Sequence, residues 1–164
     1  GSKLAGNVSK EFDLEKNFVK DKWLPFLAKI TEAYINNISK KKITNFNLIA
    51  TWLVKQYKHE YNPIHWHTGD ISGVGYLKVP KIKKEFIQKN KDHSKNADGN
   101  LILSHGSKQF LSNPILPITP EIGKFVIFPN YMMHTVYPFF NSNEERRSIS
   151  FNATIDDKSF DVFV

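Results

Sequence analysis

From Asn45 to the C-terminus the chain reads as a succession of short β-branched and aromatic runs broken by turn residues. NLIATWLVKQYKHEY (residues 47–61) is the longest and reads as a strand, with a helix as the weaker option. After the break at Asn62-Pro63 come IHWH, ISGVGYLKVP, LILSHG, PILPIT, KFVIFP, MHTVYPF and RRSISFNATI. Thr68-Gly69, Pro120–Gly123 and Asn141–Asn143 supply turns. Many short strands at such spacing cannot each bury a face alone, so they predict a sandwich or barrel.

The N-terminal part follows a different period. In DKWLPFLAKITEAYINNI (residues 21–38), Leu24, Leu27, Ile30, Tyr34 and Ile38 recur at steps of three or four, the spacing of one helical face. Pro25 places the helix start near Leu24 or Pro25, and the basic run Lys40–Lys42 ends it. Residues 9–20 carry a weaker helical pattern. Residues 1–8 read as a tag remnant and terminal segment. The expected organisation is therefore one domain over 9–164, with helices about 9–39 and a β-barrel about 45–156. No internal repeat or linker divides it.

Composition narrows the chemistry. The chain has no cysteine, which excludes disulfides, thiolate metal sites and a cysteine nucleophile. Any metal must then be held by imidazole and carboxylate. The net charge is +7, but the lysines are scattered and no recognition-helix or zinc-finger pattern accompanies them, so nucleic acid is not the expected partner. No stretch is apolar and long enough to span a bilayer, and the expected location is the cytoplasm (a host cytoplasm if the chain is phage-encoded).

Two of the six histidines fall within IHWHTGD (residues 64–70). On a strand, residues two apart share a face, so His65 and His67 would present two imidazoles together, with Trp66 turned away. If Thr68-Gly69 is a tight hairpin turn, Asp70 lies across from His67 and can join them. A distant ligand is offered by His134, which follows a Pro-Asn turn and opens an apolar strand. A His-x-His pair alone is weak evidence of a metal, and a lone histidine is more often structural. Together the three suggest a facial triad with positions left open for co-substrate and oxygen. His59, His93 and His105 lack this context and read as surface or loop residues.

The last strand carries a second signal. By alternation Arg146, Ser148 and Ser150 share one face, while Arg147, Ile149 and Phe151 share the other. An inward Arg146 beside Ser148 would clamp a carboxylate, since a guanidinium makes a bidentate, always-charged contact. Two exposed arginines before an edge strand would be the bland alternative. It suits Arg147 better than Arg146.

The order His-x-His, SGVGYLKVP, PEIGKFVIFPNYMMHTVYPF and ERRSISFN resembles the 2-oxoglutarate and Fe(II)-dependent oxygenases. More narrowly, it is similar to a small branch common in bacteriophages and marine bacteria and related to prolyl 4-hydroxylases. The resemblance runs from about Trp52 to Asn152. It implies a double-stranded β-helix (jelly-roll, cupin-like) barrel, and Fe(II), 2-oxoglutarate and O2 as cofactors, with ascorbate as a stimulant. His134 matches the distal iron ligand, Arg146 the residue that pairs the far carboxylate of 2-oxoglutarate with Ser148 beside it, and Tyr76 a tyrosine that hydrogen-bonds the same carboxylate. His65 stands at the first position of the family's His-x-Asp motif, and His67 replaces its aspartate. Two ligand sets stay open: His65, His67 and His134, or His67, Asp70 and His134.

The implied reaction is hydroxylation of prolyl residues in a protein or peptide. A free amino acid or small metabolite is the nearest alternative substrate. A barrel that binds metal or nucleic acid without catalysis is the alternative of another class. Trp52, Trp66, Phe128 and Phe139 are available to shape a dry pocket, and Lys91–Asn100 with Lys81–Lys84 could form a substrate lid.

Overall fold

The computed structural model describes residues 6–82 and 97–156. Strand β1 (Lys10–Asp13) is followed by a helical turn, α1 (Lys16–Phe18), a π-helical segment Val19–Trp23 and the long helix α2 (Leu24–Ser39). Then come β2 (Phe46–Gln56), β3 (Asn62–His65), β4 (Ile71–Lys78), β5 (Leu101–Ser104), β6 (Ile115–Ile118), β7 (Phe125–Pro129), β8 (Met133–Val136) and β9 (Arg146–Ile155). The strands form a five-stranded sheet, β1-β2-β9-β4-β7, and a four-stranded sheet, β3-β8-β5-β6. Their pairings are antiparallel. This is the expected double-stranded β-helix with a helix packed outside.

Alternation along β9 explains the layering. Ile149, Phe151, Ala153 and Ile155 join Trp23, Leu27 and Ile35 in one apolar cluster, so this face of the larger sheet carries α2. Burying a side chain such as Leu27 or Phe151 contributes about 1.5–3 kcal/mol. The opposite face holds Arg146, Ser148 and Ser150 and looks into the space between the sheets. Gly73 on β4 is needed for the first contact: a Cβ there would stand 2.4 Å from the Phe151 ring. A second cluster, Leu101, Leu103 and Phe128 with Val74, Val126 and Val136 against it, closes the interior between the sheets.

Three expectations need correction. Residues 10–13 form an edge strand on β2, not a helical turn, because β2 otherwise leaves a free ladder edge. The helix starts at Leu24 with Pro25 in its first turn, as expected, but its buried positions are Leu27, Thr31 and Ile35. Ile38 is 60% exposed. The helix ends two residues later in the left-handed Lys40, so its last turn runs past the sheet. Finally, IHWHTGD is not a hairpin. β3 belongs to the smaller sheet and β4 to the larger, so residues 66–70 cross from one sheet to the other. Gly69, at φ +100°, permits this crossing, since a Cβ would stand 2.7 Å from the Ala153 carbonyl oxygen.

Candidate active site

The inward residues of three neighbouring strands form the floor of a cleft. Arg146 is paired in register with Gln56, Ser148 lies between Val54 and Tyr76, and Ser150 lies between Trp52 and Val74. The smaller sheet supplies the roof with His65, Leu101, His134 and Val136. The cleft measures about 620 Å³ out to its open mouth.

His65 and His134 meet because β3 pairs β8 with these two residues directly opposite. Their ring centroids are 4.2 Å apart. His67 reaches the same point from the crossover loop. Its backbone is held by Asn130, whose carbonyl accepts the His67 N–H at 3.4 Å and whose side-chain amide donates to the His67 carbonyl at 3.1 Å. One ligand atom from each of the three imidazoles lies within 4.8 Å of the others.

The protons can be placed by elimination. A carbonyl only accepts, so His134 Nδ1 donates to Met132 O at 3.0 Å, and His65 Nδ1 donates to Pro63 O at 2.6 Å. Each ring therefore keeps its lone pair on Nε2. A backbone carbonyl behind the outer nitrogen is the usual way a metal-binding histidine is oriented. His134 Nε2 lies 3.2 Å from His67 Nε2. That matches the roughly 3 Å edge of an octahedral face with ligands about 2.1 Å from the ion. Burial, with the neighbouring imidazoles adding to it, pushes the His67 pKa down to about 3. Burial also pushes His134 down to about 4, against the opposing Met132 hydrogen bond. Burial thus favours the neutral form of His67 and His134, and the three imidazoles fit a first-row divalent metal once the Asn62 amide, 3.3 Å from His65 Nε2, turns away from that nitrogen.

Asp70 does not join this group. Its Oδ2 accepts the Ile155 N–H at 2.9 Å, and its own N–H donates to Ala153 O at 2.9 Å. With the hairpin replaced by a crossover, its carboxylate ties the loop to the end of β9. The alternative set with Asp70 as third ligand has no support in this geometry.

At the far end of the floor, Arg146 is 3% exposed. One terminal N–H donates to Gly99 O at 2.7 Å, while its Nε is buried with no hydrogen-bond partner among the described residues. The guanidinium lies 5.9 Å from the centroid of the Tyr76 ring. Desolvation pushes the Arg146 pKa down to about 10, partly offset by Tyr76. Tyr76 is 2% exposed, and burial raises its hydroxyl pKa against a smaller opposing pull from Arg146. Arg147, by contrast, faces the other way and pairs Glu145. A buried cation with an idle donor is costly unless an anion completes it. The arrangement can therefore orient a carboxylate at one end of the cleft and a cation at the other.

Of the aromatic residues expected at the pocket, Trp52 and Phe128 line it, with ring centroids 5.7 Å from His67 and 5.0 Å from His134 respectively. Trp66 is 65% exposed, and Phe139 is fully buried without lining the cleft. His59 meets Phe140 edge-on and His105 lies tilted against Tyr131, outside the cluster. His93, most of the Lys91–Asn100 stretch, and Lys83–Lys84 of the basic run lie outside the described residues. Sequence reasoning missed three positions. Gln56 continues the inward series Trp52, Val54, Gln56, so alternation could have found it. Asn62, whose amide donates to His65 Nε2 at 3.3 Å, gave no signal. Neither did Val8, which is brought to the cleft by the bridge between Asn7 and Tyr61.

A family model described as "Putative 2OG-Fe(II) oxygenase" matches residues 50–152. No curated protein matches the chain by sequence. Among solved structures, a 2OG-Fe(II) oxygenase-family oxidoreductase from Burkholderia pseudomallei aligns at 12% identity with TM-score 0.54, covering 84% of this chain. The alignment takes in only 55% of that protein, so this chain spans little more than half its length. The viral collagen prolyl hydroxylase of Paramecium Bursaria Chlorella virus-1, solved with 2OG, aligns at 14% identity and TM-score 0.58 over 93% of this chain and 82% of its own. A Trichoplax adhaerens prolyl hydroxylase, solved with a hypoxia inducible factor peptide fragment, aligns at 13% identity and TM-score 0.53 over 96% and 68%. At these identities the structural likeness speaks for the fold. The family match covers more than half of the chain and includes His65, His67, Tyr76, His134, Arg146 and Ser148: the chain belongs to the 2OG-Fe(II) oxygenase family.

Proposed function

We propose that this protein is a 2-oxoglutarate- and Fe(II)-dependent hydroxylase acting on prolyl residues of a protein or peptide. We assign it to the small phage and marine-bacterial branch on the order of its motifs. The observation that carries the reading is the pairing, in one cleft, of three convergent imidazoles with a buried arginine whose Nε has no hydrogen-bond partner among the described residues.

In this reading His65, His67 and His134 hold the metal. When bound, Fe(II) and 2-oxoglutarate supply the oxidising chemistry, with O2 consumed and succinate and carbon dioxide released. The chain's own residues bind and orient. Arg146 pairs the far carboxylate of 2-oxoglutarate, and the Tyr76 hydroxyl and Ser148 donate to the same group. Burial keeps Tyr76 protonated, so it acts as a donor throughout the physiological range. Met132 and Pro63 carbonyls fix the imidazole tautomers. Trp52 and Phe128 keep the metal end dry, which strengthens every charge interaction there.

The test is succinate release from 2-oxoglutarate under air with Fe(II) and ascorbate, with and without proline-containing peptides. A peptide that raises turnover several-fold and gains one oxygen at proline by mass supports the reading. Stimulation only by free proline or another small amino acid would move the substrate to that class. No succinate under any condition would contradict the activity.

A further inference from the structure

Asn62 lines the cleft beside His65, and its backbone is fixed. It precedes Pro63, which restricts it to extended conformations. It pairs with Val136 on β8, and its carbonyl accepts the Thr135 hydroxyl at 2.7 Å. Only the side chain is left to turn. His65 Nδ1 spends its proton on Pro63 O, so His65 Nε2 is an acceptor. The Asn62 atom 3.3 Å from it is therefore the NH2 group. The other end of the amide, Oδ1, is buried with no hydrogen-bond partner among the described residues. It lies against Gly6, where a Cβ would stand 2.6 Å from it.

The lone pair that Asn62 holds is the one a metal needs. A metal on His65 Nε2 displaces the amide, and Asn62 then has a partner for neither its NH2 group nor its Oδ1. An amide left so in a half-buried site is costly, and the cleft it lines is where it can turn. The neighbouring polar groups are committed: Gln56, the other amide lining the cleft, donates to Glu60 O, and Ser72 donates to Asn152. The complement of a primary amide is the N–H and C=O of one extended residue, which point the same way from the backbone. Proline lacks the N–H, so the residue taken is a neighbour of a proline. We infer that Asn62 is a metal-released grip on the substrate main chain. It caps His65 in the metal-free protein and, once a metal takes His65, pairs the backbone of the residue beside the target proline. This rests on the three-histidine metal reading and the peptide-substrate reading above. Metal and peptide then favour each other's binding by one common factor, carried by Asn62.

The experiment uses the full chain without oxygen or 2-oxoglutarate, with Co(II) as the metal and an end-blocked peptide of alternating proline and alanine as the probe. Calorimetry measures the Kd of each, alone and with the other present. In the wild type, Co(II) should tighten the peptide by about tenfold, and the peptide should tighten Co(II) equally, the scale of one or two neutral hydrogen bonds. Asn62→Leu keeps the shape of the side chain and removes both polar groups. It should bind Co(II) alone roughly two- to tenfold more tightly, because no amide has to be displaced, and the coupling should vanish. Asn62→Ala should do the same, and serves if leucine upsets folding or fills the cleft. Coupling that is absent in the wild type or persists in both variants would overturn the role of Asn62 and leave the metal and peptide readings standing. So would Co(II) binding no tighter in either variant. A peptide that fails to bind the Co(II)-loaded wild type would overturn the peptide reading and this inference with it. Co(II) that fails to bind, or binds His134→Ala equally well, would overturn the metal reading and this inference with it.

Discussion

Replacing Arg146 by methionine should move stability and co-substrate affinity in opposite directions. The side chain is buried, its Nε has no partner among the described residues, and desolvation lowers its pKa from 12.5 to about 10. A depression of that size corresponds to roughly 3 kcal/mol of penalty on the charged form. The sign follows from linkage: a base with a lowered folded pKa costs stability at every pH below about 10, and the cost fades only as pH rises past it. Methionine removes the charge and keeps much of the volume. It forfeits the hydrogen bond to Gly99 O, worth about 1 kcal/mol. The ligand-free variant should therefore be more stable by about 2 kcal/mol, or roughly 4–8 °C in Tm for a domain of this size. Binding of 2-oxoglutarate should weaken by about 2–5 kcal/mol, at least about thirtyfold, because its far carboxylate loses a buried charged partner. Differential scanning fluorimetry and anaerobic calorimetry on the Co(II)-loaded protein measure the two effects. A variant that melts lower than wild type and binds 2-oxoglutarate unchanged would refute the assignment of Arg146 as an arginine awaiting an anion.

Other outcomes follow from the same geometry. With His67 and His134 at pKa values of about 3 and 4, against 6.5 unfolded, the apo fold binds fewer protons than the unfolded chain below pH 6.5. Its stability should fall as pH drops from about 6.5 towards 4, which a denaturation series across pH checks. Asp70→Ala should cost about 1.5–3 kcal/mol through loss of the charged acceptor for the Ile155 amide, with Co(II) affinity unchanged. A large loss of metal affinity in that variant would return Asp70 to the ligand set. Gly73→Ala should destabilise by about 1–3 kcal/mol, because the new methyl meets the Phe151 ring, and urea denaturation reads it directly.

What was legible in the sequence was the pattern that burial imposes. Alternation on β9 separates an apolar face for α2 from a polar face for the cleft, and the order Arg146, Ser148, Ser150 carries that division openly. Six of the seven strand-like runs after Asn62-Pro63 became strands for the same reason, while of IHWH only Ile64 and His65 did, in a strand that begins at Asn62 and leaves His67 on the loop. What was not legible depended on partners far along the chain. β1 is a strand only because β2 lies beside it, and a four-residue polar stretch has no period strong enough to announce that. The Thr68-Gly69 turn looks the same whether it closes a hairpin or crosses between sheets. Its crossing role is set by Asp70 and Gly69 meeting the end of β9, more than eighty residues away. That error also made Asp70 look like a ligand. His65 and His67 came together regardless, one through its pairing opposite His134 and the other through the loop held by Asn130.

The central claim is that His65, His67 and His134 hold Fe(II) in the same cleft where Arg146 holds 2-oxoglutarate. The most direct measurement is an anaerobic titration of the apo protein with Fe(II) and 2-oxoglutarate, following the visible charge-transfer band of the chelate. The account predicts a band that requires both components, saturates at one equivalent of each, and is absent in His134→Ala. No band at saturating concentrations of both, in a protein shown to be folded, would contradict it.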